Sequence, residues 1–434
     1  MNKNIDEYGK GNIDTDPVIY HGGRGKFSLR GQTFSSLKNP VFRLLFGSTL
    51  GQRGAMNMQM MARSLLIYRV TGSAAILGVM SLANALPQMF FALFGGVIAD
   101  RVQKKYALLA GQASSAVVAL AIAFTLTTGY LSAENTGSWW ILIAASILNG
   151  TIQGLMIPSR QAIIYEIVNG EQLMNAVALN AMGMNVLRLL APAAAGFLID
   201  AFDFAAVYYA MTGMYLFAVV CILLMPLTST MTIRGSGALS EIKKGFQYIR
   251  CEPTILLILA FTLLIVLLSM PYIRLLPVFS EDILKVGARG LGVLLSISAV
   301  GAIAGSLFLA SLPNKKRGLM LILSALITGI ALIGFSFSGS WYISLGLIVF
   351  IGLGQAGRMT LGNTLIQYYV ENEYRGRVMA IYMMEFGMTG FSSFAAGLLT
   401  EAIGIQWSVG GFAVILVIIA LLTLVFIPRI RRLD

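Results

Sequence analysis

A chain of 434 residues that is 57% hydrophobic and 12% charged carries about half of the roughly 25% charged residues usual in a soluble domain, which excludes a water-soluble enzyme. Two cysteines and one histidine are too few for a structural zinc site, an iron–sulfur cluster or a disulfide framework, so no metal and no cofactor are expected. The formal charge of +12 falls in short clusters between long apolar runs, marking a membrane face rather than a nucleic-acid partner.

The first forty residues are polar and Gly-rich, hold His21, and lack the apolar core of a signal peptide; they read as a disordered cytoplasmic tail. A helix needs about 20 apolar residues to cross roughly 30 Å of hydrocarbon. Stretches of that kind lie near 43–67, 74–99, 106–130, 139–163, 173–199, 205–227, 254–278, 290–312, 318–338, 342–366, 376–401 and 408–428. The tail, the clusters Arg101/Lys104/Lys105, Arg234/Lys243/Lys244/Arg250, Lys315/Lys316/Arg317 and Arg375/Arg377, and the C-terminal Arg429, Arg431 and Arg432 mark one side. The opposite loops hold Glu134, Asp200, Asp203 and Glu401, with Lys285 and Arg289 as exceptions. Both termini are therefore expected in the cytoplasm, with Cys251 on that side and Cys221 inside a helix.

An offset of 202 lays Gly150, Gln153, Ile164, Val168 and Glu171 on Gly352, Gln355, Ile366, Val370 and Glu373. One residue less lays Ala194, Gly196, Leu198 and Asp200 on Ala395, Gly397, Leu399 and Glu401, and 214 lays Leu77, Gly78 and Val79 on Leu291, Gly292 and Val293. The expected organisation is a tail (1–40), a six-helix half (41–228), a cytoplasmic loop (229–252) and a second six-helix half (253–434). The loop contains an amphipathic run, Leu239 to Ile249, placed on the membrane surface.

Gly96-Val-Ile-Ala-Asp100-Arg101-Val-Gln-Lys104-Lys105, between the second and third spans, resembles the cytoplasmic loop signature of the major facilitator superfamily, with Gln103 where a glycine is usual. Tyr68-Arg-Val-Thr-Gly-Ser73, Leu276-Pro277-Val278-Phe279 and Tyr374-Arg-Gly-Arg-Val-Met379 are similar to the bacterial branch of macrolide and enterobactin exporters. Arg188-Leu-Leu-Ala191-Pro192 resembles an exporter antiport motif with Ala191 in place of its glycine. The resemblance implies an all-α integral membrane protein with twelve transmembrane helices in two pseudo-symmetric halves, the major facilitator fold. It also implies a monomer in the bacterial inner membrane, a drug-like, macrolide-like or siderophore-like cargo, and protons as the coupling ion. In that reading Gly96, Asp100, Arg101, Lys104 and Lys105 form a cytoplasmic gate; the plainer alternative is a solvated loop obeying the charge rule.

Polar residues inside the bilayer cost energy and are expected to face a cavity. Gln52, Met56, Gln59 and Arg63 recur at helical spacing in the first span, beside a second stripe with Arg53 and Asn57. Asn149 and Gln153 form such a face in the fourth span, Asn185 and Arg188 in the fifth, and Gln355 and Arg358 in the tenth. The amides suit a cavity or plain interhelical hydrogen bonding equally. Arg53 and Arg188 are expected in the cavity, and Arg358 close enough to the cytoplasm to snorkel.

Glu385 is the sharpest candidate, a lone carboxylate well inside the eleventh span with Met388, Thr389 and Ser392 on its face. It suits proton coupling by alternating exposure, or a static ion pair with Arg53, Arg188 or Arg358. Methionines such as Met56, Met60, Met182, Met184 and Met388 suit a wall for varied apolar ligands. No phosphate-binding loop that would serve ATP hydrolysis appears. Two further readings are an importer or facilitator of a polar or anionic solute using the cavity arginines, and a non-transporting membrane receptor.

Overall fold

The computed structural model describes residues 35–101, 103–135, 137–167, 170–226, 238–313 and 315–434. The expected tail through residue 34, with His21, and the first part of the central loop lie outside them. Among the described residues the regular secondary structure is entirely helical. The N-terminal half comprises α1 (Pro40–Thr71), α2 (Ala74–Arg101), α3 (Lys104–Thr127), α4 (Trp140–Ile167), α5 (Gly170–Ala201) and α6 (Phe204–Leu224). A connecting helix, α7 (Ala238–Cys251), leads to α8 (Pro253–Ser269), α9 (Pro271–Val278), α10 (Gly287–Ser311), α11 (Arg317–Phe337), α12 (Trp341–Tyr369), α13 (Arg375–Ile403), α14 (Ile405–Phe426) and the short α15 (Pro428–Arg431).

Among the described residues ten helical stretches are long and apolar enough to cross a membrane. The remaining two expected spans correspond to α1 and α13, of 32 and 29 residues. Both fall short in hydropathy because of the polar side chains singled out above, among them Arg53, Arg63 and Glu385. Large apolar residues such as Val117, Phe124, Leu224, Leu307 and Val425 stand mostly exposed along the helices, a belt that lipid covers.

Local chemistry sets the helix ends. Pro40 opens α1 and the Asn39 side chain accepts from the Val41 and Phe42 amides at 2.9 and 3.3 Å, satisfying donors that a helix start leaves free. Gly72, at φ +64°, closes it in the left-handed conformation. The expected seventh span is broken: after Ser269 the chain restarts at Pro271, whose ring removes a helical hydrogen bond. It then ends in a π-helical turn, Phe279–Ile283. The amphipathic run becomes α7, where Tyr248 stacks on Tyr374 at 4.2 Å and accepts from the Glu371 amide at 3.3 Å.

The internal repeat is visible as two equivalent seams between the halves. A Cβ at Gly78 of α2 would lie 2.9 Å from Phe394 Cα of α13, and one at Gly292 of α10 would lie 3.2 Å from Ala193 Cα of α5. Likewise Gly397 sits on the Ala74 carbonyl and Gly196 on the Ala288 carbonyl. Each pair maps onto the other under the offsets of 201 and 214, so small residues let backbones approach in the same way twice.

Candidate functional site, the polar interior between two halves

Because successive spans alternate in direction, Lys104, Lys105, Lys243, Lys244, Arg375 and Arg377 mark a basic face of the bundle. Asp203, Glu281, Asp282 and Glu401 mark the opposite, acidic face. The halves are tied together at the acidic face. Tyr68 donates to Asp282 at 2.5 Å, Arg69 pairs with Glu281 at 2.9 Å, and Glu401 accepts from Ser73 at 2.5 Å and from the Ala75 amide at 3.2 Å. Tyr68 and Asp282 stand 214 residues apart, the repeat offset itself, so the first and seventh spans meet end to end about the pseudo-symmetry axis. These ties were not expected from the sequence. The segment Tyr68 to Ser73 had been singled out by resemblance, but its partners lie 212 to 328 residues away.

Glu385 of α13 is 5% exposed and pairs with Arg358 of α12 at 3.8 Å. Thr262 of α8 donates to Glu385 Oε1 at 2.7 Å. Glu385 Oε2 and Arg358 Nη1 have no hydrogen-bond partner, so the charges neutralise each other through a contact longer than a hydrogen bond. The Arg358 guanidinium lies over the Phe386 ring, 5.7 Å from its centre. At 1% exposure Arg358 does not reach the aqueous face. The snorkelling expected of it is therefore corrected: a buried acid one helix away satisfies the charge where it stands.

The N-terminal half differs. Arg63 of α1 is 6% exposed, and its Nε and Nη1 have no hydrogen-bond partner. Tyr208 and Tyr215 of α6 are its electrostatic neighbours, and their buried hydroxyls lack partners too. Arg160 of α4, with Nε and Nη2 unpartnered, lies in range of Arg53 and Tyr215. Arg274 of α9, half-buried, reaches toward Arg63 from the other half. Among the described residues no carboxylate pairs with any of these four arginines. A small, water-sized cleft lies between α1, α9 and α10, lined by Ser64 and by apolar side chains including Met60, Ile273, Pro277 and Leu291.

The amides divide. Gln52 reaches Met156 Sδ at 3.9 Å inside the N-terminal half, Asn57 donates to the Arg53 carbonyl at 2.8 Å, and Asn149 donates to the Ala145 carbonyl at 2.9 Å. The Gln59 amide nitrogen is buried without a partner, and Gln153 is 9% exposed. Gln355 and Arg188 both approach Tyr272, which lies just after the break in the seventh span, and Asn185 is exposed. Gly96, Asp100 and Arg101 lie at the end of α2, where their side chains are outside the described structure. Lys105 donates to the Leu223 carbonyl at 3.0 Å and to the Met225 carbonyl, holding the end of α6 rather than standing free in a loop. Cys221 is buried and Cys251 exposed, both unpaired, and the described residues hold no cluster suited to a metal.

Residues 31–434 match the MFS_3 family, described as transmembrane secretion effectors. The chain is 25% identical over 366 residues to the staphyloferrin A transporter of Staphylococcus aureus (strain NCTC 8325 / PS 47), covering 84% of this chain and 88% of that one. It is 23% identical over 418 residues to the uncharacterized MFS-type transporter YfiS of Bacillus subtilis (strain 168), covering 90% and 95%. In fold it resembles a POT family transporter crystallised with a thioalcohol-conjugated peptide, with a TM-score of 0.71 at 14% identity over 90% of this chain and 96% of that one. The chain belongs to the MFS_3 family and is a multi-pass membrane transporter of the major facilitator type, not an enzyme.

Proposed function

We propose that the chain is a secondary active exporter in the bacterial inner membrane, working as a monomer and moving siderophore-like or drug-like small molecules outward in exchange for protons. The positive-inside rule makes the basic face and both termini cytoplasmic. The ties at the acidic face then close the outer side, and the interior is served from the cytoplasm. The observation that carries the reading is Glu385, a buried acid held by one hydroxyl and by a guanidinium too far for a hydrogen bond.

Alternating access gives this pair its work. With the cytoplasmic side open, Glu385 gives up its proton to the cytoplasm, and the carboxylate is held by Arg358 and Thr262 while cargo enters. When the halves rock so that the outer side opens, a proton from outside adds to Oε2, the charge pairing is lost, and cargo leaves. The residues Gly96, Asp100, Arg101, Lys104 and Lys105 would close the cytoplasmic side in that second state. A siderophore as cargo takes its support from the staphyloferrin A transporter among the relatives.

Inside-out membrane vesicles test this under an imposed pH gradient, with staphyloferrin A, a macrolide and lipophilic dyes as the panel. Accumulation of a panel member by the wild type, lost in Glu385→Gln, is expected. Equal accumulation in both would remove Glu385 from coupling, and uptake seen only in right-side-out vesicles would favour the importer reading.

A further inference from the structure

The unpaired donors of the N-terminal half are chemically one-sided. Arg63, Arg160, Tyr208 and Tyr215 present buried N–H and O–H groups without partners, and Arg53 adds its own unpartnered Nε. Arg274 brings a further positive charge to Arg63 across the interface between the halves. Burying a guanidinium without a counter-charge is strongly unfavourable, and a transporter of fixed composition has an evident use for such a deficit if the counter-charge arrives with the cargo. Among the described residues no acid is placed to serve. Glu385 is committed to Arg358 and Thr262, while Glu281 and Asp282 are engaged by Arg69 and Tyr68 at the acidic face.

From this we infer that the interior holds a binding site for a small, multiply charged oxyanion, bearing at least two carboxylate or phosphate groups, seated between Arg63 and Arg274. Tyr208 and Tyr215 donate from behind Arg63, and Arg53 with Arg160 forms the approach from the basic face. A ligand bridging Arg63 and Arg274 contacts both halves at once. Its arrival replaces a repulsion between them by an attraction, which couples occupancy to the relative position of the halves. A planar guanidinium on each side suits bidentate capture of an oxyanion.

The inference rests on the transporter reading but not on export or on protons, so the test measures binding. The wild-type protein in lipid nanodiscs is titrated with tricarballylate, pyrophosphate, acetate and glycerol, with affinity read by calorimetry and by thermal shift. Tricarballylate or pyrophosphate is expected to bind saturably and more weakly as salt rises, acetate far more weakly, and glycerol not at all. Binding of both polyanions, or of one alone, identifies carboxylate or phosphate as the group that the site accepts. Arg63→Gln and Arg274→Gln should each weaken binding by roughly tenfold or more, while Arg63→Lys, which keeps the charge, should retain most of it. Arg274 is half-buried, so Arg274→Gln decides the matter should Arg63→Gln fail to fold. Absence of polyanion binding by folded wild type, or undiminished binding in folded Arg274→Gln, would overturn the inference. Vesicles that export a panel compound while the nanodisc protein binds no polyanion would sink this inference alone. Polyanion binding without gradient-driven accumulation would instead leave it standing and remove proton-driven export.

Discussion

The two halves share a repeat, equivalent seams and the same span order, yet they treat buried charge in opposite ways. In the C-terminal half the buried cation Arg358 has an acid partner, Glu385, on the next helix. In the N-terminal half Arg63 is buried and Arg160 half-buried beside tyrosines, and among the described residues no acid pairs with either. A paired charge is stable without any ligand and can answer a proton; an unpaired one is stable only when something brings an anion. The symmetry of the seams is thus not carried into the buried charge: the C-terminal pair is neutralised internally, and the N-terminal arginines are not paired with an acid among the described residues.

The largest effect should come from breaking the paired side. Arg358→Gln leaves Glu385 buried without its cation, and removing one partner of a buried pair costs about 3–5 kcal/mol. Thermal unfolding in nanodiscs should show a marked loss, with most of it recovered in Arg358→Gln combined with Glu385→Gln. An equal loss in the single and double variants would mean that the pair matters for packing and not for charge.

A middle-sized effect tests whether the halves are alike where they touch. Gly78→Val and Gly292→Val each push side-chain atoms into an opposing backbone at equivalent points of the two seams, an overpacking of roughly 1–3 kcal/mol against the closed acidic face. Both should shift the population toward an open acidic face, read as faster labelling of a cysteine placed at the buried Ala74. A response from only one of the two would break the symmetry argument.

The smallest effect concerns the tie at the acidic face. Arg69 and Glu281 are 37% and 25% exposed, so Arg69→Gln should cost only about 0.2–1 kcal/mol, less in high salt. Spin-label distances across the acidic face should broaden slightly in the variant at low salt. A wholesale opening would show that this pair, and not the glycine seams, holds the face closed.

Much of this was legible in the sequence. The spans follow from apolar length, the halves from the repeat, and Glu385 stood out because a lone acid in an apolar helix has few uses. Arg160 was missed although it obeys the same logic, since it follows Pro158 near the end of the fourth span and passes for a residue of the basic face. Arg274 was missed because the seventh span was taken as continuous; Pro271 was the signal that the helix breaks and presents new side chains there. The ties from Tyr68, Arg69 and Ser73 were not readable, because each depends on packing between residues more than 200 positions apart.

Whether Glu385 carries the proton step apart from cargo binding is decided by one comparison in proteoliposomes. Wild type and Glu385→Gln are loaded with the panel compound that vesicles accumulate best. Exchange of labelled for unlabelled compound at equal pH is then measured beside net accumulation under a pH gradient. Glu385→Gln is expected to keep exchange and lose gradient-driven accumulation, because its cargo site is intact and only the proton step is gone. Loss of both activities together, or retention of both, would contradict it.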